Sequence, residues 1–386
     1  MKLSDIPSAL EAIRAQGRYR QVKDLRMVTA SKGIGRDGKE YIVFHSNDYL
    51  GMTHEPAVEE AARAAVAYGT GSGGARLTSG AVFELSELEQ ELARFKHAEE
   101  AVIFNTGYMT NLGVLYALAN RQDVIFSDAL NHASIIDGCR ISGARVVVYP
   151  HSDREALEKL LRETPCEGQR FLVTDGVFSM DGDVALLPDL LRLKKQYGAC
   201  LIVDDAHGVG VIGETGRGTA EYYHTSGIDV QVGTLSKALG AEGGYAAVSK
   251  DIAAYLRNRS RPFIFSTSLS AVTGATALAA LRLLEAHPET YMGALRHNTA
   301  YMKQKLQEAG IPVLPGDTSI IPIVMGDEKK TMVYAAACAE EGILLSAIRP
   351  PTVPQGTSRI RLTVTAAHTE EELDRAAQVM KKHWQE

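Results

Sequence analysis

No stretch of this sequence approaches the roughly 18 consecutive apolar residues that a membrane-spanning helix needs, so a bilayer is not expected as its medium. Cysteine is scarce. Cys139, Cys166, Cys200 and Cys338 lie far apart, without a CxxC pair or zinc-ligand spacing, which argues against a metal ribbon or a disulfide framework. Cys200 and Cys338 sit in apolar surroundings and read as small core residues. An excess of positive charge is also missing. The 41 Lys and Arg against 47 Asp and Glu leave a net charge of −6, which gives no reason to expect nucleic acid or an anionic membrane as partner. A local basic pocket for an anionic ligand remains compatible with it. Met1–Arg20 is amphipathic and charged without an apolar core, so no secretory leader is expected and the cytoplasm is the expected compartment. The nicotinamide fingerprint, a strand followed by GxGxxG and a helix, is absent too.

Present instead is an alternation of short apolar runs and amphipathic stretches. Ala101–Phe104, Val124–Phe126, Arg145–Tyr149, Phe171–Thr174, Leu201–Val203 and Val230–Val232 read as buried strands, with helices at Glu84–Phe95, Asp153–Arg162 and Leu187–Tyr197 between them. That order predicts an α/β fold with a mostly parallel sheet covered on both faces. After Lys250 the pattern changes. An Ala- and Leu-rich helix spans Ala271–Ala286 and stops before His287-Pro288; a long charged helix follows. Strands at Ile320–Val324 and Arg359–Val364, a helix around Val333–Glu341 and a last helix from a capping box at Thr369–Glu372 predict a smaller α+β unit. The expected division is an N-terminal segment 1–45, a large domain 46–286 and a small C-terminal domain 287–386; a chain of 386 residues is long enough for two or three domains.

In open α/β sheets, ligands gather beyond the carboxyl ends of the strands. There the sequence places Asn105–Asn111 with a glycine at a helix start, Ser127–His132, Asp175–Gly182, Asp204–Gly208 and Gly233–Gly240. Each has a plainer reading. The first serves equally as a tight turn, His132 as a hydrogen-bonded core histidine, Lys237 as a salt-bridged surface lysine, and Arg361 as a surface strand arginine. The Gly69–Arg76 run lacks a leading strand and a Lys-Ser/Thr ending, so it reads as a flexible loop near a site. Taken together the parts match one requirement. A lysine to carry an aldehyde, a carboxylate to keep a pyridine nitrogen protonated, a flat ring to cover it and donors at a helix start for a phosphate are supplied by Lys237, Asp204, His132 and Gly107.

The ordered motifs Asn47-Asp-Tyr-Leu-Gly51, Gly71-Ser-Gly-Gly-Ala-Arg76, Asn131-His-Ala-Ser134, Val177-Phe-Ser-Met-Asp-Gly182, Val203-Asp-Asp-Ala-His-Gly208 and Thr234-Leu-Ser-Lys237 resemble those of the α-oxoamine synthases, across about Arg20 to His368. The resemblance implies a fold-type-I transferase dependent on pyridoxal 5′-phosphate, acting as a homodimer with sites at the subunit interface. It implies that Lys237 binds the cofactor aldehyde, Asp204 pairs with the pyridine nitrogen, and His132 stacks on the ring. His207 and Ser179 would meet the phenolic oxygen side, Gly107 and Tyr108 the phosphate end, and Thr234 the cofactor as well. Lys237 would be the base, with His207 and His132 beside the reacting atoms. Arg361, with Asn47, would grip an amino-acid carboxylate, and Arg20 and Thr352 the acyl substrate. The Gly71–Arg76 loop would serve the neighbouring chain's site. The stretch Ala347–Pro354 with Gly356–Thr363 is most similar to members that condense L-alanine with pimeloyl-CoA or a pimeloyl-carrier protein in biotin synthesis. Glycine-using relatives and a non-catalytic partner subunit are the alternatives. Two positions depart from the family pattern: Asn131 where serine is common, and Ala75 where serine or threonine is common. Ala75 lies near a loop associated with substrate choice, which bears on the preference for alanine.

Overall fold

The computed structural model describes residues Lys2–Trp384. Its centre is a seven-stranded sheet. In spatial order the strands are Glu100–Phe104, Gly244–Val248, Val230–Thr234, Cys200–Asp204, Arg170–Asp175, Val124–Asp128 and Arg145–Tyr149. The last five pair in parallel, and Gly244–Val248 runs antiparallel to both its neighbours. The central strands are buried along almost their whole length. This is why they read as continuous apolar runs and not as alternation. One face packs on Val114, Leu115, Ile135 and Phe263, and the other side of the outer strands on Leu157, Leu161, Leu187 and Leu193. The fold is the expected α/β one with a large, mostly parallel sheet.

All six strands expected in this sheet are present, extended by a residue or two, with Arg145–Tyr149 unchanged. The seventh, Gly244–Val248, was not expected. Its Gly-Tyr-Ala-Ala-Val sequence has a weak strand propensity, and burial on both faces decides its state. Helices Leu187–Tyr197 and Ala271–Ala286 occupy the expected spans. The helix expected around Val333–Glu341 begins earlier, at Glu328, because Asp327 caps it by accepting from the Lys330 amide.

Strand Ser358–Thr363 lies between Ile320–Gly326 and Ser346–Ile348 in a three-stranded antiparallel sheet. Thr369 and Glu372 form a reciprocal capping box at the final helix, Glu370–His383. Part of the N-terminal segment pairs with this unit. Leu25–Met27, Lys32–Gly35 and Glu40–Val43 form a meander, and the last of them pairs in parallel with Ile343–Leu344.

Candidate active site

Strand ends of the large sheet deliver the site. Val230–Thr234 runs out into Ser236 and Lys237, and the Lys237 amine lies 2.9 Å from His207 Nε2. Burial pulls the Lys237 amine down to about 8, against the upward pull of Asp204 and Asp175. His207 is buried. Desolvation, then the positive charges of Lys237 and Arg361, hold its imidazole well below the ordinary range, so the ring is neutral. Its Nδ1 lies 2.6 Å from the Tyr49 hydroxyl. Arg361 Nη2 donates to that hydroxyl at 3.3 Å and to Asn47 Oδ1 at 3.1 Å. The rest of the Arg361 fork donates to the Ser179 carbonyl and, at 2.8 Å, to Thr363 Oγ1. One line of hydrogen bonds therefore joins Lys237 to Arg361.

A second line lies on the other side. Asp204 ends strand Cys200–Asp204, and its carboxylate is buried. Asn111 Nδ2 donates to Asp204 Oδ2 at 2.6 Å and to Ser134 Oγ at 2.8 Å, and Ser134 Oγ lies 2.7 Å from His132 Nδ1. The His132 amide donates to Asp175 Oδ2 at 2.7 Å, fixing the loop that presents the ring. Burial, then the nearby Asp204 charge, pushes the Asp175 carboxyl well above its ordinary value. Asn131, the first departure from the family pattern, braces the same loop. It accepts from the Asp175 amide at 2.9 Å and donates to the Val173 carbonyl at 2.8 Å.

The third part is a helix start. Thr106 caps helix Gly107–Leu118 by accepting from the Met109 amide, and free amide donors at such an end favour an anion. A β-carbon on Gly107 would meet Thr234 Cβ at 3.3 Å; one on Gly244 would meet the Gly107 nitrogen at 2.6 Å. The backbone cradle at this end thus depends on glycine. Tyr108 stands beside it, edge-on to His132 with ring centroids 6.3 Å apart, and its hydroxyl bonds Asp137.

The structure thus gathers Lys237, His207, Asn47 and Arg361 in one chain of contacts, with the Ser179 backbone. It gathers Asp204 and His132 in a second, and Gly107, Tyr108 and Thr234 at the helix start. Arg20 and Thr352 are exposed, and among the described residues neither is hydrogen-bonded to these groups. Ala75, the second departure, makes an isolated bridge with Thr267. Asp205, expected with its neighbour among the site carboxylates, faces away. It pairs with Lys96 at 2.9 Å, both side chains almost fully buried, and accepts from the Thr219 amide. Tyr49, Asn111, Ser134 and Asp175 are the residues that sequence reasoning passed over. All four lie inside segments already marked, and their polar groups in those segments were the available signal.

The donor set fits pyridoxal phosphate. An amine poised near neutrality, a carboxylate held by a donated hydrogen bond, a flat imidazole and a glycine-lined helix start match an aldehyde, a pyridine nitrogen, an aromatic face and a phosphate. Among the described residues no cluster suited to a metal ion occurs.

Comparison with known proteins agrees. The family model for aminotransferase class I and II matches residues 39–380. An 8-amino-7-oxononanoate synthase of Geobacter sulfurreducens is 49% identical over 381 residues, covering 97% of this chain and 96% of that protein. One of Citrifermentans bemidjiense is 47% identical over 376 residues, with coverage of 97% and 96%. Among solved structures, a Sphingomonas wittichii serine palmitoyltransferase superposes with a TM-score of 0.93 at 30% identity, covering 99% of this chain and 98% of that one. An 8-amino-7-oxononanoate synthase from Francisella tularensis superposes with a TM-score of 0.75 at 27% identity, over 89% of this chain and 97% of that one. The chain belongs to the aminotransferase class I and II family and, within it, to the α-oxoamine synthases.

Proposed function

We propose that this chain joins L-alanine to a pimeloyl thioester with loss of CO2, the reaction of an 8-amino-7-oxononanoate synthase, in biotin synthesis. The observation that carries it is the hydrogen-bonded line from Lys237 to Arg361, facing a buried carboxylate at Asp204. It sets an amine and a carboxylate-binding fork at the two ends of one site. The near full-length identity to enzymes of that name narrows the substrates to alanine and a pimeloyl donor.

Pyridoxal phosphate, bound there, supplies an aldehyde that captures amines and an electron-poor ring that accepts an electron pair from an α-carbon. Asp204 holds a proton at the pyridine nitrogen, and Asn111 aims the Asp204 carboxylate. His132 would cover the ring face, His207 and Ser179 would flank the phenolic oxygen, and Thr234, Gly107 and Tyr108 would hold the far end. Arg361, with Asn47, grips the alanine carboxylate, for which its planar fork is suited. This fixes the α-C–H bond toward Lys237. The neutral Lys237 amine takes the α-proton, and after the thioester carbonyl has been attacked, its thiol released and CO2 lost, Lys237 returns a proton to the carbon. A positioned group of this kind contributes about 10²–10⁴ in rate. Arg20 and Thr352 meet the acyl chain once the site is assembled.

The finer reading includes a homodimer with interface sites, the Gly71–Arg76 loop serving the partner, and a cytoplasmic location. It also includes the division into 1–45, 46–286 and 287–386. Consistent with this, among the described residues no helix is long and apolar enough to cross a membrane. Tyr68, Leu77, Phe83 and Phe265, around that loop, are large exposed apolar side chains. Such a patch marks an interface.

The test crosses alanine and glycine with pimeloyl-CoA, pimeloyl-carrier protein and acetyl-CoA, reading products by mass. The expected product is 8-amino-7-oxononanoate. Higher efficiency with glycine and acetyl-CoA would assign the chain to the 2-amino-3-ketobutyrate CoA ligase type instead. No product from any pair would mark a non-catalytic subunit.

A further inference from the structure

We infer that Tyr49 is a positioning residue coupling the amino-acid carboxylate site at Arg361 to Lys237 through His207. The inference rests on the proposed reading of that site. Tyr49 is fully buried in the middle of the Asn47–Gly51 segment, and its hydroxyl lies between His207 and Arg361. It is 2.6 Å from His207 Nδ1 and accepts from Arg361 Nη2 at 3.3 Å. His207 in turn is 2.9 Å from the Lys237 amine through its other nitrogen. The phenol stays protonated, because burial raises its pKa above the ordinary tyrosine value.

A hydrogen bond received by one oxygen weakens that oxygen as an acceptor for the next, so chains of this kind transmit polarity. In the tautomer that carries its proton on Nδ1, His207 donates to the Tyr49 oxygen, which is a poor acceptor while Arg361 also donates to it. A carboxylate in the Arg361 fork draws the guanidinium donors to itself. The Tyr49 oxygen then accepts more strongly from Nδ1–H, and Nε2 becomes a better acceptor toward Lys237. No covalent bond changes. The groups facing His207 and Lys237 are Arg361, His132, Asp204 and Asp175. A carboxylate that neutralises Arg361 also acts on them through space, in the same direction. Tyr49 carries the part that travels through bonds.

Tyr49→Phe separates the two, since it keeps the buried ring and removes the hydroxyl. The probe is propionate, which has the carboxylate and carbon skeleton of alanine without the amine. The readouts are the pH titration of the absorbance of the lysine-bound cofactor in the holoenzyme and the His207 signals in ¹⁵N-histidine spectra. In the parent protein, propionate shifts both titrations upward. In Tyr49→Phe, propionate still binds through Arg361, and the upward shift falls by at least roughly half, as a through-bond coupling lost in a mutant cycle. An undiminished shift in Tyr49→Phe overturns the inference. So does loss of propionate binding with an unchanged lysine titration, which reduces Tyr49 to an anchor of Arg361. A parent protein that ignores propionate overturns it too. Whether the site reading falls as well is decided separately by alanine turnover.

Discussion

Lys237 must lie close to two carboxyl groups and yet lose its proton near neutral pH. Burial is the larger effect, bringing the amine to about 8 despite Asp204 and Asp175. Coupling of pyridoxal phosphate to the apoprotein, followed by absorbance, is therefore expected to speed up as pH rises to about 8 and then level off. Lys237→Ala should fold, give no borohydride-reducible chromophore and show no turnover. His151 behaves in the opposite sense. Burial pulls it down, but hydrogen bonds with Asp128 and Asp183, each 2.9 Å away, outweigh that and raise it to about 10. Its folded value exceeds the unfolded 6.5, so its stabilisation is complete below that pH and lost as pH climbs through about 10. His151→Asn should cost about 2 kcal/mol in denaturant melts under slightly acidic conditions. The cost should shrink in alkali. Lys237, Asp204, His207 and His132 were legible in the sequence because polar groups just past apolar strands are expensive to bury without a purpose. Tyr49 was not, because no apolar run leads directly into it and the sequence around it does not show what its hydroxyl meets. Its hydroxyl finds partners only through the fold, in His207, 158 residues later, and Arg361, 312 residues later.

Among elements, the sheet was readable where both faces are covered and the strands are rich in Val, Ile and Phe. Gly244–Val248 escaped because its residues are chosen for closeness and not for strand propensity. Gly244 faces Gly107, and a side chain there would strike the helix start at 2.6 Å. Gly244→Ala should therefore raise the dissociation constant for pyridoxal phosphate, measured by fluorescence titration, more than it lowers the melting temperature. The short meander Leu25–Met27, Lys32–Gly35 and Glu40–Val43 was likewise hidden, since glycine and charge mask so brief a strand. Neighbouring Asp204 and Asp205 look equivalent in sequence. Strand geometry sends them to opposite sides, one to Asn111 and the other to Lys96. Lys96→Ala strands a buried carboxylate and should destabilise the fold by about 3–5 kcal/mol, seen as a lower denaturation midpoint.

At the scale of the whole molecule, Tyr68, Leu77, Phe83 and Phe265 lie exposed around one loop. Phe83→Asp should shift the sedimentation profile toward monomer. If the partner's loop completes each site, activity should fall in parallel with dimer content. Specific activity of the variant should then recover as its concentration is raised.

The pairing of Glu40–Val43 with Ile343–Leu344 gives the nascent chain a timing problem. Lys39 donates to the Glu340 carbonyl across 301 residues. At ordinary synthesis rates, roughly tens of seconds separate the two segments' departure from the ribosome. Through that interval the meander has an unsatisfied edge, and the segment around Ile343–Leu344 is what closes it.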